Sequence, residues 1–240
     1  MNPLLSCRAV VKSYGASPAL RGISFAADRG EVIAVTGASG SGKSTLLLCL
    51  SGILRPDSGE VHFAGKRLDT ASDSERSRLR RTDFGVLFQF GQLVPELTAV
   101  ENVGLPLLLA GARRREAMRT ASSWLERLGV QELAGKRPGQ MSGGQAQRVA
   151  TARSLVTGPR VLFADEPTGA LDSVNGEAVM AQMVHVAKSV GTTVLIVTHD
   201  AKVAAYADRE VVVRDGLVEG PDGRLEGDPY TPGTAAGGLR

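Results

Sequence analysis

The sequence has few aromatic residues, little net charge and no long hydrophobic run. Aromatic side chains make up 4% of the 240 residues, which is sparse for a surface that stacks on nucleic-acid bases. The formal net charge of +3 is too small to indicate a nucleic-acid partner by electrostatics alone, so we expect none. No apolar run approaches the roughly 18 residues that a membrane-spanning helix needs.

Cysteine is also scarce, which bears on the compartment. Cys7 and Cys49 show no ligand spacing with each other or with the histidines, so we expect two small buried apolar residues in a reducing compartment. The stretch Leu4–Cys7 resembles a lipoprotein cleavage site. However, it lacks the charged leader and the apolar stretch of roughly 7 to 15 residues that such a signal requires. We therefore expect a cytoplasmic protein.

Three short apolar runs predict the strands of a parallel sheet. Residues 32–35, 161–164 and 193–197 are rich in Val, Ile and Leu and do not alternate with polar residues, which is typical of strands covered on both faces. Each run is followed by functional residue types, namely Gly37 onward, Asp165-Glu166 and His199. Because ligands of open α/β sheets lie beyond the carboxyl ends of the strands, we expect these residues to converge on one site.

The remaining patterns predict peripheral hairpins and helices. Residues 60–68 turn at Gly65 and residues 211–219 turn at Asp215-Gly216, and we expect both to be antiparallel and peripheral. Helical spacing over 113–128 ends at Gly129, and a second helix is expected over 143–156, before Gly158-Pro159. We therefore predict one domain over 1–225, in which a helical segment (90–158) interrupts an α/β core (1–89 and 159–225). Residues 226–240 are expected to form a loose tail.

A phosphate-binding loop follows the first apolar run. Residues 37–44 fit the pattern G-x-x-x-x-G-K-S between a strand and a helix, which is the context that supports this motif. Its glycines let successive N–H groups turn toward phosphate oxygens, Lys43 reaches the β- and γ-phosphates, and Ser44 ligates Mg²⁺. The sequence thus predicts an NTPase with ATP and Mg²⁺ as ligands. The residues expected at the nucleotide are Gly37, Ala38, Ser39, Gly40, Ser41, Gly42, Lys43, Ser44 and Thr45.

Adjacent carboxylates end the second apolar run. We expect Asp165 to hold Mg²⁺ through water and Glu166 to polarise the attacking water as the general base. A positioned base typically contributes about 10² to 10⁴ in rate.

A second glycine pair, in the sequence MSGGQ, has two interpretations. Ser142 and Gln145 fit a capping box at a helix start, which is a purely structural role. Alternatively, Gly143 and Gly144 leave the backbone N–H groups of that helix open to an anion. MSGGQ lies in the helical segment, apart from the phosphate loop. Binding the same nucleotide as the phosphate loop of its own chain is therefore not the arrangement that we expect first. A second copy facing the first head-to-tail would bring each MSGGQ to the other's γ-phosphate.

Together these motifs resemble the nucleotide-binding subunit of an ATP-binding cassette (ABC) transporter, over about residues 4–220. MSGGQ is similar to the family signature LSGGQ, which the resemblance implies acts in trans across a sandwich dimer. Phe88-Gln89 resembles the Q-loop, which implies that Gln89 touches Mg²⁺ and reports the nucleotide state to a membrane partner. The resemblance implies an α/β P-loop NTPase of the ABC ATPase fold, with a RecA-like parallel core, a peripheral antiparallel subdomain and an inserted helical subdomain.

Three further residues acquire roles through the same resemblance. The segment from Gly169 to Asp172 resembles the D-loop, which implies that Asp172 lies at the dimer seam. His199 resembles the switch histidine that contacts the γ-phosphate. Tyr14 resembles the aromatic residue that stacks on adenine, a contact worth roughly 1 to 3 kcal/mol on base-stacking precedents.

The motifs also resemble one branch of the family, that of macrolide exporters and lipoprotein-releasing systems (MacB/LolD-like). The resemblance implies a homodimer on the inner face of the cell membrane and a permease with few membrane helices and a large extracytoplasmic domain. A short permease helix would dock beside Gln89, with apolar residues of 93–109 as either groove wall or core. Two alternatives stay open: signalling to a cell-wall hydrolase without transport, and a soluble ABC ATPase of DNA repair or translation.

Overall fold

The computed structural model describes residues 3–89, 92–169, 171, 173–219 and 225–226, and for residues 173–175 and 225–226 it describes the backbone alone. The strands are β1 (Leu5–Tyr14), β2 (Ser17–Ala27), β3 (Val32–Thr36), β4 (Ser58–Phe63), β5 (Lys66–Arg67), β6 (Phe84–Leu87), β7 (Val161–Asp165), β8 (Thr193–Val197), β9 (Arg209–Arg214), β10 (Leu217–Glu219) and β11 (Leu225–Glu226). The helices are α1 (Lys43–Leu50), α2 (Asp73–Thr82), α3 (Ala99–Leu109), α4 (Arg114–Arg127), α5 (Gly143–Leu155), α6 (Ser173–Ser189) and α7 (Ala201–Ala204).

The three apolar runs form neighbouring strands of one sheet, as predicted. The sheet has the order β11-β10-β9-β3-β8-β7-β6, and β3, β8, β7 and β6 pair in parallel. Side chains alternate between two cores. Val32, Leu162 and Ile196 pack on one face with helices α3 to α6, while Ile33 and Phe163 pack on the other. Burial on both faces explains why these runs lack polar alternation.

An antiparallel sheet covers the second face. It has the order β2-β1-β4-β5, and its inward side chains, such as Val10 and Ile23, share a core with helix α1 and with Ile33 of the parallel sheet. The predicted turn at Gly65 lies between β4 and β5, where Gly65 has φ +79°. Cys7 and Cys49 are both buried in this core, as expected.

Helices α3, α4 and α5 lie between β6 and β7 in the chain and pack on one another. Helix α4 is followed by Gly129 at φ +62°, and α5 ends shortly before Gly158, so both predicted helices are confirmed with ends that differ by one residue. Within 93–109, Val103 is buried and Leu93 and Leu107 pack against the core, whereas Leu109 is 64% exposed. Part of that stretch therefore belongs to the core, whereas Leu109 does not, and the groove wall stays a prediction.

One strand prediction was wrong in part. The hairpin at Asp215-Gly216 exists, since β9 and β10 are antiparallel, but β9 is not peripheral: it pairs in parallel with β3. The reason is burial, because Val211 and Val213 of β9 pack into the same core as Ile33. The predicted bounds of the helical segment (90–158) stay a prediction. The predicted tail lies outside the described residues except for Glu226.

Candidate nucleotide site

The phosphate loop connects β3 to α1, and its glycines are required by close backbone contacts. Gly37 has φ +139°, and a Cβ there would lie 2.0 Å from the Val213 carbonyl oxygen. Gly42 has φ +104°, and its Cβ would lie 2.3 Å from the Ala19 carbonyl oxygen. No side chain fits at either position, so the loop can adopt this path only with glycine.

Lys43 opens helix α1 and is held within the loop. Its Nζ donates to the carbonyl oxygens of Gly37 at 2.9 Å and Ala38 at 2.7 Å. Within the described part of the chain, the hydroxyl of Ser41 is buried and has no hydrogen-bond partner. The first turn of α1 has no acidic residue, so its N-terminal N–H groups and the ammonium form a positive concavity suited to a phosphate.

Ser44 and Asp165 face each other across the loop. The Ser44 hydroxyl donates to Oδ1 of Asp165 at 3.1 Å. Burial raises the pKa of the Asp165 carboxyl above its ordinary value. The charge of Glu166 adds to this rise, while the Ser44 hydroxyl and the Lys43 ammonium oppose it. A cation between Ser44 and Asp165 would relieve this cost of burying the carboxylate.

Glu166 lies at the end of β7 with its carboxylate held by residues that follow β8. Oε1 of Glu166 lies 2.6 Å from Nδ1 of His199, and the Thr198 hydroxyl donates to Oε2 at 3.3 Å. The Glu166 backbone has φ +46°, in the left-handed region that non-glycine residues seldom adopt. Such strain persists where the surroundings fix the backbone, and it occurs preferentially at functional sites.

The Gln89 side chain lies against the turn that follows Glu166. A Cβ at Gly169 would lie 2.7 Å from Nε2 of Gln89. The loop after β6 and the turn after β7 are therefore in contact, and the absence of a side chain at Gly169 leaves room for the amide.

Lys43, Ser44, Gln89, Glu166 and His199 line one cavity of about 500 Å³, whereas Asp165 and Ser41 are not among the residues that line it. Tyr14, which is 53% exposed, borders it from the antiparallel sheet. The structure thus brings the phosphate loop together with Tyr14, Gln89, Glu166 and His199, as the sequence analysis predicted. The lining residues are Tyr14, Ala19, Ser39, Gly40, Gly42, Lys43, Ser44, Thr45, Gln89, Glu166 and His199.

Residues 142–145 are not among the described residues that line this cavity. The capping box is present at the start of α5: the Ser142 hydroxyl accepts from the Gln145 N–H at 3.3 Å, and Gln145 Oε1 accepts from the Ser142 N–H at 2.9 Å. Ser142 and Gly143 are nevertheless exposed, with no acidic residue in the first turn. The capping-box interpretation is therefore correct. Because Ser142 and Gly143 are exposed, the start of this helix is also accessible to a partner. Asp172 lies outside the described residues.

The cavity and the residues next to it fit ATP and Mg²⁺. The unpartnered Ser41 hydroxyl and the positive start of α1 suit phosphate oxygens, and Tyr14 offers an exposed ring at the cavity edge. In the described part of the chain, no group of three or more His, Cys, Asp or Glu could hold a metal on its own. A Mg²⁺ ion here would rely on one hydroxyl, one carboxylate, phosphate oxygens and water, which is the ligand set that this ion commonly uses.

Two residues of the site were missed by the sequence analysis. Thr198, which is buried, donates to Glu166 and accepts from the Asp200 N–H. Gln147 of α5, which is 4% exposed, donates to the carbonyl of Pro167 at 2.6 Å. The position of Thr198 directly before His199 was an available signal, whereas nothing in the local sequence indicates the contact of Gln147.

Comparison with known proteins agrees with this geometry. The sequence profile described as ABC transporter matches residues 20–169. The chain belongs to the ABC transporter family. It is 41% identical over 215 residues to the lipoprotein-releasing system ATP-binding protein LolD of Porphyromonas gingivalis, covering 90% of this chain and 98% of that protein. It is 44% identical over 222 residues to the macrolide export ATP-binding/permease protein MacB of Shigella flexneri, covering 91% of this chain but 34% of MacB.

A solved structure is similar over the same span. The dimeric, post-hydrolysis ATP-binding cassette MJ0796 bound to ADP and Pi superposes with a TM-score of 0.83 at 36% identity, covering 90% of this chain and 97% of that one. The predicted fold class and the resemblance to the MacB/LolD branch are therefore confirmed, and the chain is an ABC ATPase cassette that binds and hydrolyses ATP. None of the helices that the structure describes is long and apolar enough to cross a membrane.

Proposed function

We propose that this chain is the ATP-hydrolysing motor of a membrane transporter and acts as a head-to-tail homodimer around two MgATP. The single observation that carries the proposal is the division of the motifs. The phosphate loop, Gln89, Glu166 and His199 border one cavity, while the exposed helix start at Ser142 does not. A second copy would bring its Ser142 and Gly144 to the γ-phosphate, in line with the dimeric assembly of MJ0796.

In this site each side chain has a separate task. The ammonium of Lys43 and the N–H groups of the phosphate loop bind the β- and γ-phosphates, and Tyr14 stacks on the adenine. Mg²⁺, when bound, neutralises charge that develops on the phosphate oxygens. Ser44, Asp165 and Gln89 would hold that ion, Asp165 through water.

The catalytic residues are Glu166, His199 and Gln89. Glu166 accepts a proton from the attacking water, since its carboxylate lies at the edge of the phosphate cavity. His199, whose Nδ1 lies beside Oε1 of Glu166, orients that carboxylate and contacts the γ-phosphate. The closed dimer is favoured by ATP because Ser142 and Gly144 meet a γ-phosphate only in that state.

We further propose that the motor acts on a separate permease. LolD is named as an ATP-binding protein alone, while MacB is named as an ATP-binding/permease protein of which this chain covers 34%. A permease with few membrane helices, docked beside Gln89, would couple the motor to export or to mechanical signalling. The chain would then lie in the cytoplasm against the inner face of the membrane, with no nucleic acid involved.

The trans arrangement is tested by mixing two inactive variants. Lys43→Ala removes the ammonium that the phosphate loop holds, and Ser142→Arg blocks the helix start, so each homodimer is expected to hydrolyse no ATP. A mixture contains heterodimers in which one site combines an intact phosphate loop with an intact Ser142. We expect hydrolysis to return on mixing, and a mixture that stays inactive would contradict the head-to-tail site.

Two matched variants control for charge and bulk. Lys188→Ala removes a lysine that pairs with Asp208 outside the cavity, and Ser122→Arg adds the same bulk to an exposed serine of α4. Both are expected to hydrolyse ATP at the wild-type rate.

The permease is tested by affinity purification from membranes with tagged Glu166→Gln protein, with and without MgATP. Recovery of an integral membrane protein with few helices and a large extracytoplasmic domain is the expected result. Recovery of soluble proteins alone in both conditions would leave the motor in place and reject the transporter.

A further inference from the structure

Gln147 connects helix α5 to the turn that carries Glu166. Its side chain is 4% exposed, and its Nε2 donates to the Pro167 carbonyl oxygen at 2.6 Å. Pro167 directly follows Glu166 and is itself buried. Because water does not reach this carbonyl, its hydrogen bond depends on a protein donor.

The turn that receives this bond needs support. Glu166 has φ +46°, a conformation that persists only where neighbouring contacts fix it. Its N–H donates to the Val197 carbonyl at 2.9 Å, and its own carbonyl accepts from the Gly169 N–H at 3.0 Å. The Pro167 carbonyl that accepts from Gln147 belongs to the central peptide of this turn, between Glu166 and Gly169. The Gln147 bond comes from helix α5, whereas the other two contacts come from the sheet and from the turn itself.

Helix α5 joins this bond to the exposed Ser142. Gln147 follows Ser142 by five positions, which corresponds to about 7.5 Å along a helix axis. The capping box at Ser142 and the own-helix bond from the Thr151 hydroxyl to the Gln147 carbonyl at 2.9 Å lie on either side of the Gln147 side chain. These bonds hold Gln147 at a fixed place relative to the helix start.

We propose that Gln147 is a positioning residue that couples Glu166 of its own subunit to the helix whose start serves the partner's nucleotide. This inference rests on the proposed head-to-tail dimer. In that dimer, the bond from Gln147 to the Pro167 carbonyl holds the turn that carries Glu166 at a fixed place on α5. Gln147 therefore acts on the site formed by the phosphate loop of its own subunit, and not on the site that its helix start completes.

The test places Gln147→Met in one subunit at a time. Methionine has similar length and suits a buried position but cannot donate to the Pro167 carbonyl. In the mixture of Lys43→Ala and Ser142→Arg, the single working site takes Glu166 from the Ser142→Arg subunit and the helix start from the Lys43→Ala subunit. The two placements of Gln147→Met therefore separate an effect on Glu166 from an effect on the helix start.

We expect hydrolysis to fall by about tenfold to 100-fold when Gln147→Met is in the Ser142→Arg subunit, since small misplacements of a catalytic group cost this much. The same change in the Lys43→Ala subunit should leave the rate near that of the parent mixture. The loss should appear in kcat, with the KM for ATP unchanged. Equal losses in both placements, a loss in the Lys43→Ala subunit alone, or no loss would each overturn the proposal.

Three controls keep these outcomes separate. Ser154→Ala removes an own-helix hydrogen bond to the Thr151 carbonyl and should leave both placements active. Gln147→Asn, one methylene shorter, should show the same placement dependence and serves if Gln147→Met does not fold. If the parent mixture itself is inactive while the wild type hydrolyses ATP, the head-to-tail site fails, and the coupling fails with it. If the parent mixture is active, the hydrolysis rates of the two placements test the role of Gln147 independently of the head-to-tail site.

Discussion

Oε1 of Glu166 and Nδ1 of His199 lie 2.6 Å apart, which connects the ends of two neighbouring parallel strands. An ionised carboxylate can only accept a hydrogen bond, so Nδ1 carries the proton in this contact. The other ring nitrogen, Nε2, then stays available toward the phosphate cavity, where 68% of the His199 side chain is exposed. The pair therefore orients both groups before any nucleotide contact is made.

The first prediction concerns the carboxylate of this pair. Glu166→Gln keeps the size of the side chain but removes the proton acceptor. We expect ATP binding to persist, hydrolysis to fall by about 10² to 10⁴, and dimers to accumulate in ATP. Single-turnover hydrolysis and size-exclusion chromatography with MgATP measure the two effects. Glu60→Gln, at a surface glutamate paired with Arg67, is the matched control. Turnover of Glu166→Gln at the wild-type rate would remove Glu166 as the base.

The parallel core could be predicted from sequence because its strands are buried on both faces. Val32 and Ile33 point to different cores, so neither position tolerates a polar residue and the run is continuously apolar. The phosphate loop could also be predicted from the sequence. Glycine is required at positions 37 and 42 because an added Cβ would lie within 2.3 Å of a backbone carbonyl oxygen. Such constraints act on single positions and leave a direct mark on the sequence.

Other features leave a weaker mark or none. Helix α2 was not predicted, because it has hardly any apolar residue to give it a helical period, although the capping box between Ser72 and Glu75 at its start was an available signal. The contact of Gln147 with Pro167 spans 20 residues and depends on how α5 packs on the sheet. The left-handed backbone of Glu166 has no local signal either, because glutamate does not favour it.

The second prediction concerns the contact between Gly169 and Gln89. A methyl group at position 169 would lie 2.7 Å from Nε2 of Gln89, at the movable end of a long side chain. Gly169→Ala should therefore change the free energy of unfolding by no more than about 0.5 kcal/mol, as for a mild surface substitution. Because it displaces Gln89, we expect ATP hydrolysis to fall by about tenfold or more.

Thermal unfolding and steady-state hydrolysis measure these two effects together. Gly135→Ala, where no atom lies within 4 Å of the added Cβ, is the control and should change neither. If Gly169→Ala hydrolyses ATP normally, the position of Gln89 in this structure has no bearing on catalysis.

The third prediction follows from the partly buried carboxylate of Asp165, whose pKa is raised chiefly by burial. A raised pKa in the folded state means that folding favours the protonated form. The associated stability is present below the pKa of the unfolded chain, about 3.9, and is lost as the pH rises through the folded value. Asp165→Asn should therefore raise the Tm at pH 7, and the gain should vanish toward pH 4. The same variant should lose Mg²⁺-dependent hydrolysis.

Melting curves between pH 4 and 8, recorded without nucleotide or divalent cation, test whether Asp165→Asn raises or lowers the Tm. Asp57→Asn provides the opposite case, because Lys12 and the Ser13 N–H lower the pKa of Asp57. That variant should lose stability at pH 7 and recover toward the wild type as the pH falls. An Asp165→Asn protein with a lower Tm than the wild type at pH 7 would contradict the burial cost.

The last prediction concerns the thiols beneath the antiparallel sheet. Burial raises the pKa of Cys7 to about 12 and that of Cys49 to about 11. The unfolded chain ionises its thiols first, near about pH 8.5, so stability from these groups is present below that pH and is lost as the pH rises toward the folded values. We expect the Tm to fall between pH 8 and pH 10.5, and to fall less steeply in the double variant Cys7→Ala, Cys49→Ala.

Lysine and tyrosine titrate in the same pH range. The thiols are therefore tested by the difference in Tm between the wild type and the double variant, and not by either curve alone. A thiol reagent at pH 8 gives an independent measurement, since the thiolate is the reactive form and both side chains are at most 5% exposed. The native protein should react only as it unfolds. Parallel Tm curves together with rapid labelling of the native protein would mean that the core between helix α1 and the antiparallel sheet opens readily to water.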